Sequence, residues 1–171
     1  MRPLVDLCHE VGEIDGLRVR PWTLADAAQL VAAWGDAEVA RWNPVPPDPS
    51  LAFAEAWIAG AATQTSDSTG IDVVAVDGDA TDVVLGEVGL QIDRERGLAE
   101  VGLWVAASAR GRGVGTNLLA MAERFAPLFD VALVVGMVER DNVAAVRTFT
   151  SAGWQELPTR SDRAAFGFRV P

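Results

Sequence analysis

The sequence predicts a single α/β domain of the α+β type, in which about four helices flank a mixed, mostly antiparallel sheet. Its 171 residues are the usual size of one domain. Three apolar runs follow one another with short polar turns, which is typical of an antiparallel meander. After Val114 the apolar spacing changes to a helical repeat, and the branched run 131–138 then predicts a strand buried on both faces.

The first elements follow from local patterns. Residues 1–16 lack a clear period and are interpreted as an N-terminal extension or an edge segment. Residues 17–20 alternate between apolar and charged types, as a half-buried strand does. Thr23 and Asp26 resemble a capping box, so a helix is predicted from 23 to about 35, before the proline-rich segment 41–49.

A second helix is predicted after this segment. Asp48 has the residue type of an N-cap, and Pro49 would occupy the first helical position. Spacing then places Phe53, Trp57 and Ala61 on one helical face.

The meander consists of strands predicted over 71–76, 83–92 and 98–105, and the acidic turn DGDATD joins the first two. The next helix ends at Pro127 because proline cannot continue it. The apolar face of that helix is predicted to contain Val114, Leu118, Met121, Ala122 and Phe125.

The C-terminal part predicts one more helix and one more strand. The helix begins after Asn142 and ends at Gly153, which has the residue type of a C-terminal cap. A last strand is predicted over 165–170. One side of the helix is predicted to contain Val143, Val146, Phe149 and Thr150.

Composition excludes several classes of chemistry. The net charge is −10, all 14 cationic residues are arginine, and the chain has no lysine and no tyrosine. His9 and Cys8 are the only residues of their types, which leaves too few ligands for a zinc site. Schiff-base chemistry and the P-loop both need lysine. We therefore expect no metal, and chemistry carried by carboxylates, backbone amides and arginine.

The acidic charge balance bears on partners and location. Affinity for nucleic acid requires a cationic surface, so no nucleic-acid partner is expected. No apolar run approaches the roughly 20 residues that cross a bilayer. The N-terminus is interrupted by Asp6 and does not resemble a signal peptide. The sequence therefore predicts a cytoplasmic protein without a membrane partner.

The segment ARGRGVGTN joins the third strand of the meander to the helix after it. Its glycines, Gly111, Gly113 and Gly115, leave backbone amides uncovered at a helix N-terminus, where amides attract phosphate oxygens. The dinucleotide fingerprint has a different spacing, and a P-loop would need lysine. The segment therefore predicts a phosphate-bearing ligand of another kind, with a plain flexible turn as the alternative.

The spacing Arg110-x-x-Gly113-x-Gly115 resembles the Q/R-x-x-G-x-G/A acetyl-CoA signature of the GNAT N-acetyltransferase superfamily. AEVGLWVAASARGRGVGTNLLAMAERFA is similar to that family's fourth strand, pyrophosphate loop and third helix, and ERDNVAAVRTFTSAGW to the segment after its fifth strand. LRVRPWTLADAAQL is similar to the opening of the branch of ribosomal-protein N-terminal (RimJ/RimL-like) acetyltransferases. The resemblance covers about 17–156. It implies one acetyltransferase domain over 17–171, with splayed parallel strands at the cofactor site.

The resemblance implies acetyl-CoA as the cosubstrate. The pantetheine arm would bond to backbone groups of the fourth family strand, and the pyrophosphate to amides of the glycine loop. Arginines of the loop would add charge toward the phosphates. Asn142 matches the family asparagine beside pantetheine, and a plain N-cap is its alternative role. The implied cofactor residues are Leu103, Trp104, Val105, Arg110, Gly111, Arg112, Gly113, Val114, Gly115, Thr116 and Asn142.

Acetyl transfer needs a base that accepts a proton from the attacking amine. Glu100 is the first candidate because it matches a catalytic glutamate in part of the family, although a solvated carboxylate at a strand edge is the alternative. Glu87 is the second candidate. The proton-donating tyrosine of many relatives corresponds to Phe149, and Ala145 stands at the serine position of the RimJ/RimL-like branch. No general acid is therefore predicted.

The predicted function is acetyl-CoA-dependent N-acetylation of a primary amine, on a protein N-terminus or a small molecule, by direct attack in a ternary complex. Trp34, Arg41, Trp42 and Asn43 lie where the family's first two helices border the acceptor site, and core packing of the tryptophans is the alternative. A non-catalytic acyl-CoA-binding or regulatory module and a nucleotide-binding domain of another topology are the other hypotheses. The amine and the oligomeric state, including a homodimer, stay open.

Overall fold

The computed structural model describes residues 1–80 and 82–171. Thr81, in the predicted acidic turn, lies outside the described residues. The strands are β1 Glu13–Ile14, β2 Leu17–Pro21, β3 Gly70–Asp77, β4 Val84–Asp93, β5 Leu98–Val105, β6 Leu133–Val138, β7 Gln155–Leu157 and β8 Ala164–Arg169. The helices are α1 Leu4–Val11, α2 Ala27–Trp34, α3 Ala37–Trp42, α4 Leu51–Ala61, α5 Val114–Phe125 and α6 Val143–Ser151.

These strands form one mixed sheet. Within the described residues its order is β1-β2-β3-β4-β5-β6-β8-β7. Each strand from β1 to β5 is antiparallel to the next, which confirms the predicted meander. β5 and β6 are parallel, and they pair only from Leu98 to Glu100 on β5 and from Leu133 to Val135 on β6. Beyond this short ladder no strand among the described residues pairs with β5 on the β6 side, as expected for the splayed strands that the resemblance implies.

Each face of the sheet is covered by helices and has its own apolar core. α1 and α5 contribute to the core on one face, and α2, α3 and α4 to the core on the other. The residues predicted to share the apolar face of α5 are all buried. The sheet is therefore sandwiched between two helical layers, and both predicted cofactor and predicted substrate residues lie near its β5 strand.

The N-terminal segment is part of the fold. Leu4, Leu7, Cys8 and Val11 are buried by α1 in the core beneath the sheet. The segment 1–16, interpreted from the sequence as an extension or an edge segment, thus contains the packed helix α1 and the edge strand β1. The apolar residues at positions 4, 7, 8 and 11 have the spacing of a helix, so the sequence did contain a signal for α1. With only 8 residues, α1 is too short for this period to stand out. Burial raises the pKa of the Cys8 thiol to about 12.

Two helix starts differ from the sequence-based prediction. Asp36 caps α3, where its Oδ1 accepts hydrogen bonds from two backbone amides, and α3 continues into the segment predicted to be irregular. Ser50 is the N-cap of α4, and its Oγ accepts a hydrogen bond from the Phe53 amide at 3.2 Å. The predicted cap at Asp48 is therefore wrong, because the serine hydroxyl two residues later meets the free amide.

The C-terminal elements agree with the prediction in outline. Asn142 caps α6 as predicted. Along β6 buried and half-buried residues alternate, so the prediction of burial on both faces is wrong. β8 was predicted within one residue, whereas the short strand β7 was not predicted. Of the predicted α6 face, Phe149 is buried but Val143 is 55% exposed.

Gly136 in β6 makes room for the ring of Phe149. A Cβ at this glycine would lie within 2.4 Å of two ring carbons, and the ring is stacked on Phe166 and edge-on to Trp154. Because the ring cannot move aside, Gly136→Ala should lower the free energy of unfolding by about 1–3 kcal/mol. Urea denaturation of the purified protein measures this change.

Gly60 in α4 is the matched control for this substitution. A Cβ at Gly60 would meet nothing within 4 Å. Gly60→Ala should therefore raise stability by up to about 1 kcal/mol through helix propensity alone. Equal stability of Gly136→Ala and wild type would show that the Phe149 ring is free to reposition.

Candidate functional site

A cleft of about 410 Å³ opens where β5 separates from β6, between the end of β5, the glycine loop and α6. Ten of the eleven residues predicted to bind the cofactor line it, and Arg112 is the exception. Those ten are Leu103, Trp104, Val105, Arg110, Gly111, Gly113, Val114, Gly115, Thr116 and Asn142.

The glycine loop ends in the N-terminus of α5. Gly111 and Gly113 have φ of +72° and +81°, a left-handed conformation that glycine adopts without strain, and Gly113 is the N-cap. The first intrahelical amide bond of α5 runs from Asn117 to the Gly113 carbonyl. The amides of residues 114–116 therefore lack helical acceptors and form an anion-attracting end at the cleft.

Arg110 joins the loop to the start of α3. Its Nη2 lies 2.5 Å from Asp36 Oδ1, and its Nε donates to the Val105 carbonyl at 3.2 Å. The hydrogen bond from Arg110 holds the pKa of Asp36 below its usual value. The guanidinium thus closes one side of the cleft. Arg112 is exposed on the loop.

Asn142 lies at the opposite side of the cleft. Its Oδ1 accepts a hydrogen bond from the Ala145 amide at 3.1 Å, as the N-cap alternative predicted. The side chain also lines the cleft. Capping and contact with a ligand are therefore compatible at this residue.

A second cavity, of about 560 Å³, lies on the face of the sheet covered by α2, α3 and α4. The lining includes the carboxylates of Asp72, Glu87 and Glu100. Val39, Asn43, Leu103 and Trp104 line both cavities, so the two spaces meet beside β5. The apolar and aromatic part of the second cavity comes from Trp34, Val39, Pro44, Val45, Pro46, Phe53, Trp57, Val101, Leu103 and Trp104.

Glu87 lies on β4, directly opposite Trp104 on β5. One carboxyl oxygen, Oε2, accepts a hydrogen bond from Trp22 Nε1 at 3.0 Å. Burial raises the pKa of Glu87, and the nearby Asp72 carboxylate raises it further, to about 8, against the lowering effect of indole hydrogen bonds. Glu87 therefore changes protonation state near neutral pH.

The second carboxylate of this cavity was not predicted from the sequence. Asp72 lies on β3, where its Oδ2 accepts a hydrogen bond from Gln64 Nε2 at 2.8 Å, and burial raises its pKa. An acidic residue inside the apolar run IDVVAV was the available signal. Its significance depends on its neighbours across the sheet, which the sequence alone does not give.

The predicted substrate residues are divided between the two spaces. Trp34 lines the second cavity, Trp42 lines the cleft, and Asn43 lines both. Arg41 lines neither: its guanidinium lies 4.4 Å from the centre of the Trp42 ring and 3.9 Å from an Asp141 oxygen. Trp34 is also buried, so it has the core-packing role that the sequence offered as the alternative.

Two aromatic residues of α4 complete the wall of the second cavity. The sequence predicted only that they share a helical face. Trp57 and Phe53 lie edge-on to Trp34, with ring centroids 6.3 and 5.9 Å apart. The buried side of α4 consists instead of Ala54, Ile58 and Ala61. The large rings of α4 therefore face the cavity.

Within residues 1–80 and 82–171, no group of three His, Cys, Asp or Glu side chains could hold a metal ion. In the same described residues, no helix has the length and apolar character needed to cross a membrane.

Comparison with known proteins agrees with this geometry. Residues 16–155 match the family model of the acetyltransferase (GNAT) domain. Curated proteins gave no match. Among solved structures, Mycobacterium smegmatis RimJ in complex with CoA-disulfide has a TM-score of 0.77 and 17% identity, over 90% of this chain and 82% of that chain.

Two further solved structures share the fold. Spermidine N-acetyltransferase from Vibrio cholerae, in complex with CoA and spermine, has a TM-score of 0.76 and 15% identity, over 92% of this chain and 97% of that chain. The GNAT domain of S. lividans PAT has a TM-score of 0.72 and 21% identity, over 90% of each chain.

The family model covers most of the chain and includes both the glycine loop and the strands that form the cleft. The predicted resemblance and the predicted acetyl-CoA cosubstrate are thereby confirmed, and a nucleotide-binding domain of another topology is excluded. The chain belongs to the GNAT acetyltransferase family and is an acetyl-CoA-dependent N-acetyltransferase.

Proposed function

We propose that this protein transfers the acetyl group of acetyl-CoA to a primary amine of a small molecule or a peptide N-terminus, by direct attack in a ternary complex. The observation that carries the proposal is the junction of the two cavities beside Leu103 and Trp104. Cofactor and amine can then occupy separate spaces at once. Their reacting groups would meet beside the part of β5 that lies beyond its short ladder with β6.

The cleft supports acetyl-CoA in a defined orientation. The pyrophosphate would accept hydrogen bonds from the free amides at the start of α5. The pantetheine arm would lie along residues 103–105, where the ladder with β6 has ended at Glu100. Its amide groups can then bond to the backbone of β5 as an added strand would. The thioester would thereby reach the junction with the second cavity.

Glu87 is the proposed base. Taking a proton from a lysine-like ammonium by an ordinary glutamate is uphill by about 6 pKa units, or roughly 8 kcal/mol. With the pKa of Glu87 at about 8, the gap falls to roughly 3 kcal/mol. An α-amine, whose reference pKa is near 8, would transfer its proton at almost no cost.

Glu100 is the alternative base. It is exposed, and it lies opposite Gln91 at the rim of the second cavity. Because Glu100 stands at the exposed rim of the cavity, it is better placed to attract the incoming cationic amine than to accept its proton beside the thioester.

The departing thiolate has no tyrosine to protonate it. Phe149 is 5% exposed and is packed against Phe166 and Trp154. A thiol has a reference pKa of about 8.5, so the thiolate is a fair leaving group near neutral pH and solvent can supply the proton. We therefore propose no side-chain general acid.

Incubation with acetyl-CoA and a panel of primary amines tests the function. We expect free CoA thiol and acetylated amine in equal amounts, detected by a thiol reagent and by mass spectrometry, with saturation by each substrate independently. CoA binding without any acetylated product would instead support the non-catalytic module. A covalent acetyl-enzyme isolated without amine would contradict direct attack. We also propose a small-molecule or peptide amine as the partner and a cytoplasmic location, both as predicted from the sequence.

Charge reversal in the glycine loop tests the cofactor position. Arg112→Glu should weaken CoA binding by about 5- to 20-fold at low salt, because an exposed charge near phosphates contributes modestly and is screened. Isothermal titration calorimetry at two salt concentrations measures the effect. Arg160→Glu, an exposed substitution outside the loop, is the control. An equal loss in both variants would contradict the loop assignment.

A further inference from the structure

The floor of the second cavity contains two glycines that face each other across the sheet. Gly89 on β4 is the register partner of Gly102 on β5, and Asp72 on β3 is the partner of Gly89 from the other side. A Cβ at Gly89 would lie 2.6 Å from Asp72 Oδ1, and a Cβ at Gly102 would meet nothing within 4 Å. The missing side chain at Gly89 makes room for the Asp72 carboxylate, and the missing side chain at Gly102 leaves a hollow beside it.

Carboxylates surround this hollow. Glu87 is two positions from Gly89 along β4, and Glu100 is two positions from Gly102 along β5. Residues two apart on a strand project from the same face, so both point to the same side as the hollow. The lining of the cavity contains no arginine, lysine or histidine. The floor is therefore negatively charged when its carboxyl groups are ionised.

The roof of the cavity is aromatic. Trp34 from α2 and the α4 rings of Phe53 and Trp57 lie above the floor, and each of the two α4 rings is edge-on to Trp34. Aromatic faces attract organic cations and bury apolar groups. An occupant must therefore match an acidic floor and an aromatic roof at the same time.

We propose that the hollow over Gly102, beside the Asp72 carboxylate, binds the ammonium group of a monocationic primary amine that has an aromatic-sized apolar body and no anionic group, with Asp72 as a specificity residue. The inference rests on the proposed function and names the substrate class of its acceptor site. The ammonium lies between the carboxylates of Asp72 and Glu87, and the apolar body lies under the rings of α2 and α4.

Electrostatics explains the choice of charge. A cation between neighbouring carboxylates replaces their mutual repulsion by attraction, which is strong in a partly buried site. A carboxylate on the ligand would instead face three acidic side chains and would be rejected. Because Asp72 keeps one oxygen bonded to Gln64, its carboxyl group is held in place toward the floor.

Three matched ligands test the substrate class with the full-length protein and saturating acetyl-CoA. We expect 2-phenylethylamine to be the best substrate, with kcat/KM at least about 100-fold above that of L-phenylalanine, which adds a carboxylate. Ethylamine lacks the ring and should fall at least about 10-fold below 2-phenylethylamine. Equal acetylation of L-phenylalanine, or a preference for spermidine, would overturn the proposal.

Two substitutions test the residues. Asp72→Asn can still accept the hydrogen bond from Gln64. At pH 9, where Glu87 is largely ionised in both proteins, it should raise KM for 2-phenylethylamine by at least about 10-fold with kcat changed by less than about 3-fold. Gly102→Val places its Cβ in open space, suits a strand, and should abolish binding of this amine in a folded protein. Asp67→Asn, on an exposed loop, is the control and should leave KM unchanged.

Calorimetry with 2-phenylethylamine and CoA separates the two proposals. Binding that Asp72→Asn and Gly102→Val both weaken, in a protein that acetylates no amine, would support the site and contradict the proposed function. Acetylation of other amines, unaffected by both variants, would support the function and overturn the site. A KM unchanged by Asp72→Asn, with circular dichroism confirming the fold, would remove Asp72 from recognition.

Discussion

Replacing Glu87 with glutamine should lower kcat/KM for amine acetylation by about 10²- to 10⁴-fold, the usual contribution of a positioned base. Glutamine keeps the size of the side chain and can still accept the hydrogen bond that Trp22 Nε1 donates. Binding of CoA should be unchanged, because Glu87 lines only the second cavity. Initial rates with thiol detection, together with calorimetric CoA titration, measure both quantities.

The pH dependence of kcat/KM provides a second test of Glu87 as the base. Because the pKa of Glu87 is raised to about 8, the carboxyl group is mostly protonated at pH 7 and cannot accept a proton. The wild-type kcat/KM should therefore rise with pH and begin to level off near pH 8. The rise attributable to Glu87 should disappear in Glu87→Gln.

Two variants of neighbouring carboxylates serve as controls. Asp72→Asn removes a charge that raises the pKa of Glu87, so the midpoint of the pH profile should move to lower pH. Glu100→Gln should change kcat by less than about 10-fold, because this exposed carboxylate is not the proposed base. A larger loss in Glu100→Gln than in Glu87→Gln would reverse the assignment and make Glu100 the base.

The cofactor half of the site could be predicted because its information is local. Arg110, Gly113 and Gly115 lie within six residues, and the strand before them and the helix after them follow from apolar period alone. The capping box of Thr23 and Asp26 was also predictable and is present in the structure. Short spacing and a change of period thus identified both the family and the helix ends.

The acceptor half depends on sheet register, which no local pattern provides. The pairing of Gly89 with Gly102, and of Asp72 with Gly89, joins three strands that the sequence predicts only as separate runs. The same limit applies to Arg110, whose partner Asp36 is 74 residues away. The loop arginines could be recognised from the sequence. The sequence does not show which of them forms an ion pair with a distant carboxylate.

The roof of the acceptor cavity depends on a buried ion pair at the start of α2. Asp26 is 2% exposed, and Arg20 on β2 donates to both of its oxygens, at 2.7 and 2.8 Å. Thr23 donates to Asp26 from its amide and its hydroxyl. Desolvation raises the pKa of Asp26, but the hydrogen bonds from Arg20 and Thr23 together lower it by more. The net shift of the pKa is therefore downward.

Arg20→Met should therefore lower the free energy of unfolding at pH 7 by about 3–5 kcal/mol, the usual cost of leaving a buried charge without its partner. Arg18→Met is the matched control, because Arg18 also lies on β2 but its ion pair with Glu13 is about half exposed. The free energy of unfolding of this control should fall by less than about 1 kcal/mol. Urea denaturation of both variants at pH 7 provides the comparison.

The pH dependence of this loss identifies its cause. In the wild type the pKa of Asp26 is lowered, so its contribution to stability is fully present above the unfolded value near 3.9 and is lost as the pH falls through the folded value. In Arg20→Met the lowering effect of the arginine is lost, so the pKa of Asp26 rises and protonation relieves the buried charge at a higher pH than in the wild type. The deficit of the variant should shrink as the pH is lowered from 7, whereas a deficit that is constant with pH would mean that lost packing of the arginine stem, and not the carboxylate without its arginine, destabilises the fold.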